Sequence, residues 1–518
     1  MPKHYTRWPI VEGYAERQSY LPGEEVHFHC ASRAATFSAE VTRVGQTRQT
    51  LWRRTSIAGH DHATPDDAYA AGCRWPVTFS LQIPTDWPSG YYEVTLRADG
   101  AIGEEAAAQA FFVVRSSQPQ SNAHAILVLA TNTYNAYNQW GGASLYSGAT
   151  RVSFARPLER GYLNRPAAPF DTNYDGRIAS TSSTPDPEHL QLQTYQAVNN
   201  YPLWCASAGW HNWERRFVRW AERAGLQLDY AINSDLEFHP EVLDGAPLML
   251  SVGHDEYWSW AMRDRVDDFV ESGGNWAIFS GNTCFWQVRY EDEGRTMVCY
   301  KGRARAEDPV MGGAQQSLLS TMWSSPLIGR PENLSTGLSF SRGGYARIGR
   351  GVPRGSGAYT VYQPDHWAFA DTELRYGDLL GLGSYIVAYE VDGCEFTLRN
   401  GLPIPTHADS TPDDLTILAT SPARLLSVTP TYSEVPSALW ASTEPPGDLE
   451  GMAIGLFGDH SAENVARLAH GNAVMASFTR GKGTVFNAGS ADWAYGLDAD
   501  RLVQRVTENV VRKLGASG

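Results

Sequence analysis

The period of the apolar residues changes once along this chain, and that change limits the possible folds more than any other feature. Up to about residue 115 apolar and polar residues alternate, as in Val26-His27-Phe28-His29, residues 39–44, 78–83 and 91–97, and the pattern continues at 110–114. Pro22-Gly23 and Trp87-Pro88-Ser89-Gly90 punctuate these runs. A period of two at short spacing predicts an antiparallel β-sandwich over residues 8–115. Residues 116–122, polar and with one proline, read as a linker.

Beyond the linker, residues 125–130 form a continuous apolar run, as a strand buried on both faces requires. Residues 213–224 predict a helix with Trp213, Phe217, Trp220 and Ala224 on one face, followed by a strand over 226–231. A further strand is expected at 247–252. A helix follows at 258–270, with Met262, Val266, Phe269 and Val270 inward and Gly273-Gly274 as its stop. Another strand is expected at 275–280. This rhythm means βαβ units and a mostly parallel sheet, hence an α/β domain over residues 123–518. Residues from about 292 to 470 are rich in Gly and Pro with short strand-like runs such as 385–390, and read as a β-rich irregular insertion. The α/β signal returns in strands at 473–479 and 483–487 and a helix at 502–514. The expected class is multidomain α/β plus β.

Composition excludes some functions. With 42 Lys plus Arg against 57 Asp plus Glu, the net charge of −15 argues against a nucleic-acid binder, which needs a basic stripe. No run of about eighteen apolar residues is present, so no membrane-spanning helix is expected. The first residues lack an apolar signal core, and the six cysteines are scattered without a C-x-x-C pair. Free thiols in a reducing cytoplasm fit this usage.

In an open parallel sheet ligands bind beyond the carboxyl ends of the strands. Two expected strands end in polar clusters: Gly253-His254-Asp255-Glu256-Tyr257-Trp258, and Ser280-Gly281-Asn282-Thr283-Cys284. Both would lie on one rim if the two strands are neighbours. Helix capping would use one acid and does not explain the whole set. The amide- and aromatic-rich block 132–142 follows the first α/β strand and should reach the same rim, as a functional loop or as a glycine-rich loop with packing aromatics. Residues 247–289 are therefore the expected active centre.

These segments, with 217–223, 229–230, 273–292 and 486–497, resemble the large (beta) subunit of N,N-dimethylformamidase. The β-domain residues Gly13-Tyr14 and 19–24 are similar as well. The α/β domain also resembles the glutamine amidotransferase-like fold. The dimethylformamidase resemblance implies a mononuclear Fe(III) held by two tyrosines and a glutamate: Tyr134, Glu256 and a second tyrosine, for which Tyr174 is the choice over Tyr137 and Tyr146. It implies His254, Asn282 and Glu390 as the catalytic residues beside the metal. Phenolate and carboxylate are hard anionic ligands that suit a trivalent ion. Such an ion also ionises tyrosines whose ordinary pKa is about 10. The implied activity is hydrolysis of a small amide in which Fe(III), as a Lewis acid, activates water. His254 or Glu390 would move protons and Asn282 would meet the oxyanion. The resemblance implies a separate small subunit as partner; the many aromatic residues are expected to supply interfaces to further copies of this chain, and neither nucleic acid nor membrane is an expected partner. Two rivals stand beside this reading: a non-catalytic protein that binds a carbohydrate or a partner, and a cysteine hydrolase using Cys284. The latter lacks the Gly-x-Cys-x-Gly elbow. His27/His29 and His60/His62 lack a third ligand and read as surface histidines.

Overall fold

A computed structural model of the chain describes residues 7–116, 124–165, 201–202, 204–346, 355–427 and 447–516. The chain forms two compact units that are not consecutive in sequence. Its described parts contain no helix long and apolar enough to cross a membrane.

The first unit takes in residues up to 166, 196–246 and 290–298. It contains a three-stranded sheet of Val11–Ala15, Glu25–Ser32 and Phe79–Gln82, paired antiparallel. A five-stranded sheet runs in the order Ser19–Tyr20, Ala107–Val114, Gly90–Ala98, Thr36–Val44 and Arg48–Ala58. All its pairs are antiparallel except the first, where Ser19–Tyr20 runs parallel to Ala107–Val114. Alternate residues of both sheets, among them Phe28, Phe37, Val41, Val94 and Phe112, bury into one apolar core, the outcome of a period-two pattern with one wet face. Ala125–Leu129 pairs in parallel with Leu228–Ile232 in the same unit. Between them the block at 132–142 begins as a helix, Thr131–Tyr137, buried along its whole length. The linker lies outside the described residues except Ser116.

The described part of the second unit comprises Pro247–Arg289 and residues from 299 onward. Here seven strands lie side by side in the order Leu248–His254, Asn275–Gly281, Gly483–Asn487, Gly471–Arg480, Thr416–Ala423, Tyr359–Val361 and Leu379–Leu380. The first three are parallel. The remaining pairs are antiparallel; for Gly471–Arg480 and Gly483–Asn487 a tight hairpin between Arg480 and Gly483 admits no other direction. The Gly- and Pro-rich region thus adds strands to the same sheet run. Within it, residues 385–390 make turns rather than the expected strand; the extended piece is Val391–Gly393.

The helix expected from residue 258 begins at Trp260 and ends at Ser272. Tyr257–Ser259 instead forms a short strand parallel to residues 286–288. Ser259 caps the helix, its hydroxyl accepting from Met262 N at 3.1 Å. The C-terminal helix Arg501–Leu514 is capped by Asp500, which accepts from Leu502 N and Val503 N.

Candidate active site

The site lies at the carboxyl ends of the parallel strands in the second unit. In the register of Leu248–His254 against Asn275–Gly281, His254 sits directly opposite Gly281, so one strand delivers His254 and the next delivers Asn282. The turn after Gly281 is tight: Asn282 has φ 53° and Cys284 φ 58°, in the left-handed region that side-chain amides tolerate best. It is stitched to the neighbouring strand end by Cys284 N donating to Asp255 O at 2.9 Å. Phe285 N and Trp286 N both donate to Glu256 O, each at 2.9 Å. Five buried residues, His254, Asp255, Glu256, Asn282 and Thr283, are thereby fixed against one another.

Glu390 arrives from far along the chain. Its backbone passes directly over Gly281, where a Cβ would overlap the Glu390 carbonyl and Ala491 N; only glycine admits that approach. The loop after Gly483–Asn487 holds the segment down: Ala491 N donates to Glu390 O at 3.0 Å and Asp392 N to Gly489 O at 3.0 Å. Asp492 accepts from Tyr389 N at 3.0 Å.

The side chains converge. His254 Nε2 lies 2.5 Å from Glu390 Oε2 and 3.4 Å from Glu256 Oε2. Asn282 Nδ2 donates to Glu390 Oε2 at 3.1 Å. That contact fixes the amide orientation, since a carboxylate needs the NH₂ side. It leaves Asn282 Oδ1 buried with no hydrogen-bond partner among the described residues. Trp286 Nε1 donates to Glu256 Oε1 at 2.7 Å, which orients that carboxylate. His254, Glu256, Asn282 and Glu390 are thus brought together.

Asp392, which carries no motif in the sequence, completes the cluster. Two residues beyond Glu390, it accepts from Asn282 N at 2.9 Å and Thr283 N at 3.2 Å, one carboxylate clamping the strained turn. Burial pushes it up to about 7, against the pull of those two N–H groups. The available signal is proximity in sequence: a second acid stands two residues beyond Glu390, within the short strand Val391–Gly393.

Residues 38–508 match the family described as N,N-dimethylformamidase beta subunit-like, C-terminal. The chain belongs to that family. It is 25% identical over 284 residues to the N,N-dimethylformamidase beta subunit of Paracoccus aminophilus, covering 47% of this chain and 36% of that protein. It is 22% identical over 282 residues to the N,N-dimethylformamidase beta subunit of an Alcaligenes species, again 47% and 36%. The chain thus matches little more than a third of the length of these relatives.

Of the three iron ligands that the dimethylformamidase resemblance implies, Glu256 belongs to the cluster above. Tyr134 lies in the first unit on the buried helix Thr131–Tyr137, its hydroxyl donating to Glu214 Oε1 at 2.7 Å. Tyr174 lies outside the described residues. The rivals Tyr137 and Tyr146 engage each other, with stacked rings 4.0 Å apart and Tyr146 Oη donating to Tyr137 Oη at 2.7 Å. Among the described residues no three His, Cys, Asp or Glu side chains are arranged to hold a metal; the implied set contains one such residue. Glu256 and Tyr134 are buried oxygen donors, and in donor chemistry they fit a hard trivalent ion. Cys284 is buried, and burial pushes its thiol well above the ordinary range. It therefore stays protonated, which disfavours a nucleophilic role.

Proposed function

We propose that this chain hydrolyses the C–N bond of a small amide, with a mononuclear ferric ion held by Tyr134, Tyr174 and Glu256. The observation that carries the reading is the convergence of His254, Glu256, Asn282 and Glu390 at adjacent strand ends in a chain of the dimethylformamidase beta subunit-like family. When bound, the iron would supply Lewis acidity that polarises the amide carbonyl and makes water easier to deprotonate. The protein's own groups handle protons and orientation. His254 Nε2 lies 2.5 Å from Glu390 Oε2, a separation over which imidazole and carboxylate can pass a proton in either direction. Asn282 uses one amide hydrogen on Glu390, and its second remains for the oxyanion of the tetrahedral intermediate. Trp286 holds one oxygen of Glu256 and leaves the other toward His254. The name "beta subunit" of the relatives supports a separate partner subunit. The absence of a candidate membrane helix among the described residues is compatible with a cytoplasmic enzyme.

The test combines metal analysis with an assay on N,N-dimethylformamide, read as formate and dimethylamine. Protein produced with ample iron should carry about one iron per chain and show a tyrosinate-to-iron charge-transfer band. Glu256→Ala should lose both iron and activity, while His254→Ala keeps iron and loses activity. An iron-free wild-type protein, or full iron in Glu256→Ala, would sink the assignment.

A further inference from the structure

Behind Glu390 the line of contacts goes on. Glu390 Oε1 lies 3.5 Å from the Tyr345 hydroxyl, and the Asp448 carboxyl is near enough to that hydroxyl for each to shift the other's proton affinity. Asp448 Oδ2 is buried with no hydrogen-bond partner among the described residues. The parts come from separate elements. Tyr345 follows the strand Ser339–Gly344, pinned by two backbone bonds with Arg424. Asp448 opens the helix Asp448–Phe457. The Tyr345 ring stands edge-on to Phe340 and Tyr389, and Tyr389 stands edge-on to His254, so the hydroxyl is aimed by packing.

A phenol has one proton to give. If Asp448 is protonated it donates to the phenol oxygen, and the phenol proton turns to Glu390. If Asp448 is ionised the phenol proton turns to Asp448, and Glu390 loses a donor. We infer that Tyr345 and Asp448 are a positioning pair that sets the hydrogen bonding, and so the basicity, of the carboxylate that exchanges a proton with His254. Burial, with Glu390, Glu256 and Glu450 nearby, pushes Asp448 up to about 7, while Tyr345 lowers it. Burial also holds Tyr345 protonated, so the phenol keeps its one proton to donate. The effect on rate rests on the amide-hydrolase reading; the hydrogen bonds do not.

The experiment uses the full iron-loaded chain with N,N-dimethylformamide, comparing Tyr345→Phe, Asp448→Asn and the double variant. Each single change should lower kcat about tenfold with little change in KM and should shift the pH–rate profile. The double variant should lose no more than the worse single one, because both act through one contact. In parallel, the imidazole nitrogen signals of His254, assigned by their loss in His254→Gln, should move in both single variants. Unchanged kcat, or losses that multiply, would overturn the inference. If the wild type does not cleave the amide, the functional reading fails. The His254 signals then decide alone: no movement in either variant overturns the pair.

Discussion

Two buried acids, one in each unit, show what different surroundings do to the same functional group. Asp235 in the first unit is held by Arg115 Nη1 at 3.0 Å, Ser19 Oγ at 2.8 Å and Ile232 N at 2.9 Å. A guanidinium is always charged and cannot give up its proton, so this is a fixed ion pair that ties chain segments together. Glu390 in the second unit meets His254, Asn282 and Tyr345. One of those three neighbours, the His254 imidazole, can change its protonation, and further acids crowd behind them. One arrangement stabilises a fold; the other keeps protons mobile, which is what acid–base chemistry needs.

The contrast can be broken from either side. The largest expected effect is on stability. Arg115→Ala leaves Asp235 buried and unpaired and should cost about 3–5 kcal/mol in denaturant unfolding. Glu390→Gln should do the reverse. It keeps the shape and the Tyr345 contact, shifts the melting temperature little, and lowers amide turnover about 100-fold or more. An Arg115→Ala protein as stable as wild type, or a Glu390→Gln protein with full turnover, would erase the distinction.

A smaller effect sharpens it through pH. Glu12 accepts from Trp140 Nε1 at 2.8 Å, and burial pushes it up to about 7. The folded state therefore binds this proton more tightly than the unfolded one. Its contribution is fully present below the ordinary carboxylate range and is lost as pH rises through about 7. Glu12→Gln should match wild type near pH 5 and melt a few degrees higher near pH 8, on the order of 1–3 kcal/mol. A pH-independent difference would contradict this. The smallest effect concerns the helix between the two site strands: Ser259→Ala should cost about 1 kcal/mol of stability, seen as a small shift in the denaturation midpoint.

Much of one half of the site could be read from the sequence, because those residues are close in the chain. His254, Glu256 and Asn282 follow apolar runs whose strands pair directly, and short connections make the register easy to infer. The second half could not be read the same way. Tyr345 and Asp448 lie in a region without periodicity, and they meet Glu390 through contacts spanning tens of residues. Periodicity carries no information about such pairs. The helix start at 258 was misplaced for a local reason. Trp258 continues the apolar pattern, yet its indole donates to Asp255 O at 3.0 Å and its backbone pairs with residue 287. Tertiary pairing overrode propensity there. The run at 385–390 misled in the other direction. Its apolar residues Ile386, Val387, Ala388 and Tyr389 are buried, but Tyr389 N is tied to Asp492 rather than to a strand partner.

The loop at 488–492 gives the last consequence, and it concerns time. Ala491, Gly489 and Asp492 hold the backbone around Glu390 against Gly281. During synthesis, residues 254, 256, 282 and 390 all leave the ribosome long before that loop does. Until it is made, the backbone around Glu390 lacks the bonds that hold it against Gly281. A nascent or clipped chain ending before residue 488 should therefore carry every one of these side chains and remain inactive.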